Sequence, residues 1–500
     1  MSDAPRLSLV AHAGQLVGVA LVVAVVGAWL PIPRSLNHDL PTLLRWLAAL
    51  VGLALGAGAL WLDRRHDLAG AWAGSPAWAR VGVLVVVACV LFLIRPRLHW
   101  GDSIALVSSL DAGVHRWNPR WMTSMVALAY VFDLLRPLLS GALFLTLVYI
   151  ALGCLELALL MATLRLVSGG QRIPCAAVLL VITSPATLYL MSGYLEIYAM
   201  PQLGIVSFLW AAAAFSASRR WMGFTPFGIV CGLAGLLYVG NLILLPLGAV
   251  LAAARLAADP ASGWSERLRR GLGFGAGASL GIYASLCLVT GETSLGVRRM
   301  LAVVSSILSD SATVFQREAT RSVWYAPFAD ALRAERAREF CETWSLYGVF
   351  GLLFLVMVAA SLIVDPAPCV RALRPAGLFL PVLAVLVAAQ LLASYVKTRP
   401  MGWWDWDLFT YAAYPVNLLA ACLLLRLQHE TGVATAGRTL SLCASVWCLM
   451  VYAYVNPVWP EWSGLPPRKR ELAFESYWPM PRLPASEAEA RGIRETSPFP

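Results

Sequence analysis

Charge is what this chain has least of. Charged residues make up 13% of its 500 positions, about half the share of a soluble globular protein, and the only lysines are Lys397 and Lys469. No long basic run occurs, so the net charge of +10 does not point to nucleic acid; in an apolar chain, scattered arginine reads as orientation anchors and contact with lipid phosphates. Short catalytic signatures are missing as well: there is no Walker loop, no HExxH, and no GxSxG or GxGxxG placed after a strand. Those absences exclude the common nucleotide-binding, zinc-protease and hydrolase-elbow chemistries. The ten cysteines show neither a disulfide framework nor paired metal spacing; most lie in apolar runs, where Cys behaves as a small hydrophobe. There is also no internal repeat.

What the chain has instead is long apolar runs. Hydrophobic residues reach 59% and the mean hydropathy is +0.71. A run of about 20 apolar residues spans a bilayer core. The expected fold is therefore all-α: a polytopic transmembrane helix bundle of about 11 spans with amphipathic helices in its outer loops. The expected spans are 10–30, 43–62, 79–94, 138–163, 174–192, 201–217, 272–290, 344–364, 375–396, 408–428 and 439–457. The first reads as a retained signal anchor. The run 224–254 is too long for one ordinary span, and Gly240-Asn241 breaks it. It reads as two short helices, 224–238 and 241–254, forming a hairpin, although two short full spans would give the same topology.

With that hairpin, Arg64, Arg65, Arg165, Arg172, Arg219, Arg220, Arg267, Arg269, Arg270, Arg371, Arg374 and Arg438 fall on one face. The positive-inside rule makes that face cytoplasmic, with the amino terminus on the same side and the protein in the inner (plasma) membrane. The opposite face collects 95–137, 193–200, 291–343, 397–407 and the tail. Residues 1–457 form the catalytic-type bundle, and 458–500, rich in Pro and charge, form an extended or disordered outer tail. In the outer loops, Ile104, Val107, Leu110 and Val114 recur at helical spacing after Asp102. A further helix begins near Arg120, after Pro119, and another covers 328–340.

Three short segments concentrate the polar chemistry. Asp102, in HWGDS at 99–103, is either a helix cap or a surface carboxylate serving as general base. Asp111, on the same helix, reads as solvated or salt-bridged. Glu196 sits in the tight turn GYLEIY at 193–198 with Tyr194 and Tyr198. That Glu is either solvated or aimed at a central cavity to orient a polar ligand. Lys397 and Arg399, followed by Trp403, Trp404, Asp405, Trp406 and Asp407, form the densest polar-aromatic cluster. Interfacial tryptophans and snorkelling cations account for part of it. Two aspartates among three tryptophans suit sugar, and the cations suit a lipid-linked phosphate. Within the spans Glu156 is the clearest carboxylate, and Asn241 reads as the helix break.

These segments resemble the GT-C class of polytopic glycosyltransferases, of the bacterial type, which take sugars from polyisoprenyl-phosphate donors. Gly101-Asp102 followed by an amphipathic helix is similar to their catalytic loop. The GYLEIY turn and DWDL at 405–408 look like recurring bacterial features. The likeness in layout runs from about 79 to 457, and in exact motif it covers under twenty residues. It implies an inverting, general-base enzyme moving a sugar to a glycan, lipid or protein acceptor at the outer face. Asp102 would be the base and Lys397 and Arg399 the phosphate clamp. Tyr194, Glu196, Trp404, Asp405 and Asp407 would hold sugar or acceptor, and loop 291–343 would close over the site. Some acidic-loop enzymes of this kind use a divalent cation, which a single Asp does not demand. The competing readings are a transporter or flippase of lipid-linked saccharides, and a membrane glycan ligase or polymerase. A transporter would spread polar residues over several spans at mid-depth.

Overall fold

Apolar runs of this length fold as helices because a backbone in lipid must satisfy its own N–H and C=O groups. The computed structural model describes residues 42–95, 122–193, 199–219, 221–259, 262–290, 348–364, 378–396, 410–428 and 431–455, with a few isolated positions such as 15–20, 107, 110, 111, 340 and 344. Among the described residues the structure is helical throughout and has no strand.

In chain order the helices are α1 (Thr42–His66), α2 (Leu68–Gly74), α3 (Ala77–Ile94), α4 (Met122–Leu135), α5 (Gly141–Ser168), α6 (Cys175–Ile182), α7 (Pro185–Met191) and α8 (Ala199–Ser216). They continue with α9 (Phe224–Leu236), a 3-10 turn (Val239–Ile243), α10 (Leu244–Ala257), α11 (Trp264–Thr290), α12 (Val349–Val364), α13 (Phe379–Val396), α14 (Thr410–Leu427) and α15 (Thr431–Val455). Six helical segments among the described residues are long and apolar enough to cross a membrane: Trp46–His66, Ala77–Ile94, Gly141–Ser168, Ala199–Ser216, Gly240–Ala257 and Gly432–Tyr452. Phe224–Leu236, Val349–Val364, Phe379–Leu392 and Ala412–Leu427 are apolar but shorter.

Burial separates central from peripheral helices. The apolar stretch of α3 is 6% buried, whereas that of α8 is 72% buried. Leu93 and Val86 of α3 and Leu50 and Leu55 of α1 are exposed; in a membrane these side chains meet lipid tails. At the centre stand α8 and α14, whose Ala211, Ala212, Ala214, Ala420 and Ala421 are fully buried.

One departure from the expected layout has a local cause, and one expected break is found. The expected span 174–192 is a broken helix, α6 then α7, interrupted at Thr183 and Ser184 ahead of Pro185. Proline supplies no N–H and disfavours helical geometry in the residue before it. The run 224–254 does break at Gly240-Asn241, through the 3-10 turn, and its halves are antiparallel: Cys231 of α9 lies against Gly248 of α10, and Gly235 lies against Leu245. Both ends of the hairpin therefore lie together, and the Arg255 guanidinium stacks over the rings of Phe215 and Phe224.

The tightest helix pair is α9 with α11, which run parallel. Gly228 and Gly232 face Phe274, Ala278 and Ile282, while Gly277 and Gly281 face Thr225, Ile229 and Leu233. A Cβ added at Gly281 would come 2.5 Å from the Ile229 carbonyl oxygen, so only glycine permits this approach. Small residues four apart are the usual means by which membrane helices pack when apolar surface gives no driving force.

Candidate functional site

The bundle has two chemically different ends. At the first, Arg172 pairs with Asp63 at 3.5 Å and with Asp67 at 3.4 Å. Buried Asp63 also accepts the Cys175 N–H at 2.9 Å, capping α6. Arg165 donates to the Ala73 carbonyl at 3.3 Å, and Arg426 of α14 donates to the Val167 carbonyl. The hairpin feet lie at this end too. Arg255 donates to the Phe215 carbonyl at 2.6 Å, and Arg270 bridges Asp259 at 2.8 Å and Glu266 at 2.7 Å. The bond from Arg270, supported by Arg269, holds the Glu266 carboxyl below its ordinary range.

Helix direction carries the chain from there to the other end. Cys154 of α5 donates to the Leu84 carbonyl, and Met191 packs on Gly153 while Gly193 packs on Thr146 and Ile150. The chain then turns back, so that Gln202 of α8 faces Glu156. Thus α3 and α7 end, and α5 and α8 begin, at this second end. The Tyr452 hydroxyl of α15 donates to the Ile94 carbonyl at 2.6 Å and lies 3.0 Å from Ser192 Oγ. The Trp344 indole N–H donates to Ser394 Oγ at 3.2 Å, and Phe340 meets the Tyr395 ring edge-on with centroids 5.3 Å apart. Gly348, in turn, lies against Asn417 of α14.

The candidate residues themselves, Asp102, Tyr194, Glu196, Lys397, Arg399, Trp404, Asp405 and Asp407, lie outside the described residues, as do the tail and, apart from Phe340, the helix expected at 328–340. What the structure describes is their points of departure, two of which, Ile94 and Ser192, meet at Tyr452. Asp102 follows Ile94 by eight residues, Glu196 follows Ser192 by four, and Lys397 directly follows Val396, the last residue of α13.

Asp111 is not salt-bridged among the described residues. Its Oδ1 accepts the Gly141 N–H at 2.9 Å, which caps α5 and satisfies one of the four donors a helix start leaves open. Arg136 donates to the neighbouring Leu110 carbonyl at 2.7 Å. Leu110 and Asp111 are therefore fastened beside the start of α5. The helix expected near Arg120 is α4, beginning at Met122.

A second group of polar residues escaped the sequence reading, which singled out Glu156 and gave Asn241 only the role of a helix break. Gln202 Nε2 donates to Glu156 Oε2 at 2.6 Å, and both residues are buried. Asn241 Nδ2 donates to the Pro201 carbonyl at 3.0 Å and the Ala234 carbonyl at 3.2 Å, so it ties the hairpin tip to α8. Gln390, Tyr414 and Asn417 are buried too. Among the described residues, Gln202 Oε1, Asn241 Oδ1 and the Tyr414 hydroxyl are buried without a hydrogen-bond partner. A lone amide in an apolar run is the only advance signal for such residues, and it says nothing about what the amide faces.

This architecture defines an all-helical, multi-pass membrane protein. Against protein-family models, characterised proteins and solved structures, the chain has no match, so its chemistry has to be read from the residues themselves. Among the described residues, no three His, Cys, Asp or Glu side chains come together as a metal ion would require.

Proposed function

We propose that the protein is a membrane glycosyltransferase that moves a sugar from a polyisoprenyl-phosphate donor to an acceptor at the outer face. One observation carries this reading: the helix ends that launch the Asp102 loop and the Glu196 turn are tied together by Tyr452. The segment carrying Lys397, Arg399, Trp404, Asp405 and Asp407 leaves from beside Trp344, where loop 291–343 rejoins the bundle. Sugar transfer with inversion needs a base on the acceptor hydroxyl and charge stabilisation for the departing lipid phosphate. Asp102 fits the first requirement and Lys397 with Arg399 the second. Tyr194, Glu196, Trp404, Asp405 and Asp407 would position sugar or acceptor. A divalent cation, were the enzyme to use one, would take its ligands from the carboxylates Asp102, Asp405 and Asp407.

In this account the chain makes about 11 spans plus the 224–254 hairpin, with the arginine-rich end and the amino terminus cytoplasmic and the membrane the plasma membrane. The antiparallel packing of α9 on α10 supports a reversal of the chain at Gly240-Asn241, which a hairpin and two short full spans share.

A second reading has an observation of its own. Buried polar groups on α5, α8, α13, α14 and the hairpin tip are the mid-bundle distribution expected of a transporter or flippase of lipid-linked saccharides. The discriminating experiment incubates the purified protein with a panel of radiolabelled polyprenyl-phosphate sugars, then repeats it in sealed vesicles. The proposal expects transfer to an acceptor; movement of intact donor across the vesicle without transfer supports the second reading.

A further inference from the structure

At the arginine-rich end, a groove of about 330 Å³ opens between α2 and α3 on one side and α5 on the other. Its walls are apolar, formed in part by Trp72, Val81, Leu84 and Met161, but Arg80 and Arg165 also line it. Arg165 is held at the mouth by its bond to the Ala73 carbonyl, 3.3 Å away. Arg80 is half-buried, and its Nε is fully shielded without a hydrogen-bond partner. Its guanidinium has no ion pair among the described residues, and Asp63 and Asp67 at this end of the bundle pair with Arg172.

A cation withdrawn from water without a partner is costly, and a guanidinium offers a fork of donors that matches phosphate oxygens. Val81, which lines the groove, and Val85, one turn further along α3, are more than half exposed on a surface that meets lipid in a membrane. Trp78, 78% exposed, stands beside it as an interfacial anchor. A soluble phosphate compound would use the charges and leave the apolar walls unmatched, whereas a diacyl phospholipid matches both.

We propose that this groove binds an anionic phospholipid, with the headgroup phosphate on Arg80 and Arg165 and an acyl chain along Val81, Leu84 and Met161. The site lies at the opposite end of the bundle from the proposed transfer site, so the lipid is a structural or regulatory ligand and not the sugar donor.

The test uses the full-length protein purified in neutral detergent and titrated with dioleoyl phosphatidylglycerol or dioleoyl phosphatidylcholine, with bound lipid counted by native mass spectrometry. The wild type should retain phosphatidylglycerol in clear preference to phosphatidylcholine. Arg80→Gln should weaken the anionic lipid about tenfold, the effect of losing one charge-assisted bond, and leave the zwitterionic lipid unchanged. Ala77→Trp, at an exposed position on the groove wall, leaves both arginines in place and should block binding equally; it also decides the matter if Arg80→Gln does not fold. Equal retention of phosphatidylglycerol by wild type and Ala77→Trp would overturn the proposal. Displacement of the lipid by millimolar inorganic phosphate would also overturn it, in favour of a soluble phosphate ligand.

Discussion

Tyr452 and Ser192 stand 260 residues apart in sequence and 3.0 Å apart at their side-chain oxygens. The same tyrosine hydroxyl donates to the Ile94 carbonyl. One side chain of the last described helix thus joins the points from which the Asp102 loop and the GYLEIY turn leave the bundle, and the shared-site account depends on that junction.

Tyr452→Phe removes the hydroxyl and keeps the ring. A buried hydrogen bond contributes about 0.5–1.5 kcal/mol, and here the Ile94 carbonyl and Ser192 hydroxyl lose a partner together. The thermal midpoint should fall by a few degrees, and sugar transfer should fall several-fold more than that loss of folded protein explains. A variant that loses stability but keeps full turnover per folded molecule would show that the junction is only structural.

The Glu156–Gln202 pair makes an asymmetric prediction. Glu156→Gln still offers an oxygen to the Gln202 amide at the same position, so stability should change little. Gln202→Leu leaves a buried carboxyl without its donor and should destabilise by about 1–3 kcal/mol. Sugar transfer should survive Glu156→Gln, because the pair lies inside the bundle and not among the loops. Loss of donor movement across vesicles in that variant, with folding intact, would favour transport. Thermal unfolding and the two activity assays, run side by side, separate these outcomes.

How much of this was legible in the sequence varies from residue to residue. The hairpin break was, because Asn241 beside a glycine cannot pass unnoticed in an apolar run, and the structure places a 3-10 turn there. The interruption before Pro185 carried an equally plain signal, but the run 174–192 has the length of a span, and length prevailed. Pairings over distance were not legible. Asp111 is exposed, as expected, and it also caps α5 from 30 positions away, a pairing that nothing local announces. Gln202, Gln390 and Asn417 are neutral amides in apolar runs; whether such a residue faces lipid, water or a buried carboxylate is settled by helix rotation, which α8, with apolar residues on every side, leaves undetermined. The close packing of α9 on α11 went unread, although Gly228 and Gly232, and Gly277 and Gly281, are each spaced by four. The candidate site was legible as three segments, and the structure adds that the flanks of two of them, Ile94 and Ser192, meet at Tyr452.

Lys397 and Arg399 should act on the donor. Each charge-assisted bond to a phosphate is about twice as strong as a neutral one, so Arg399→Gln should raise the apparent donor KM about tenfold. Turnover should fall as well if charge builds on the phosphate in the transition state. Donor titration at saturating acceptor for the single and double Gln variants reads both quantities. An unchanged double variant would return these cations to a role at the lipid interface.

The most direct measurement is sugar transfer by Asp102→Asn beside the wild type, with both proteins assayed across the donor panel and matched for folded protein by thermal unfolding. Asn and Asp cap helices comparably, so folding should be preserved while the base is lost. A positioned general base contributes about 10²–10⁴-fold. The account predicts a loss of that size with the thermal midpoint unchanged; an Asn variant that transfers sugar at the wild-type rate would contradict it.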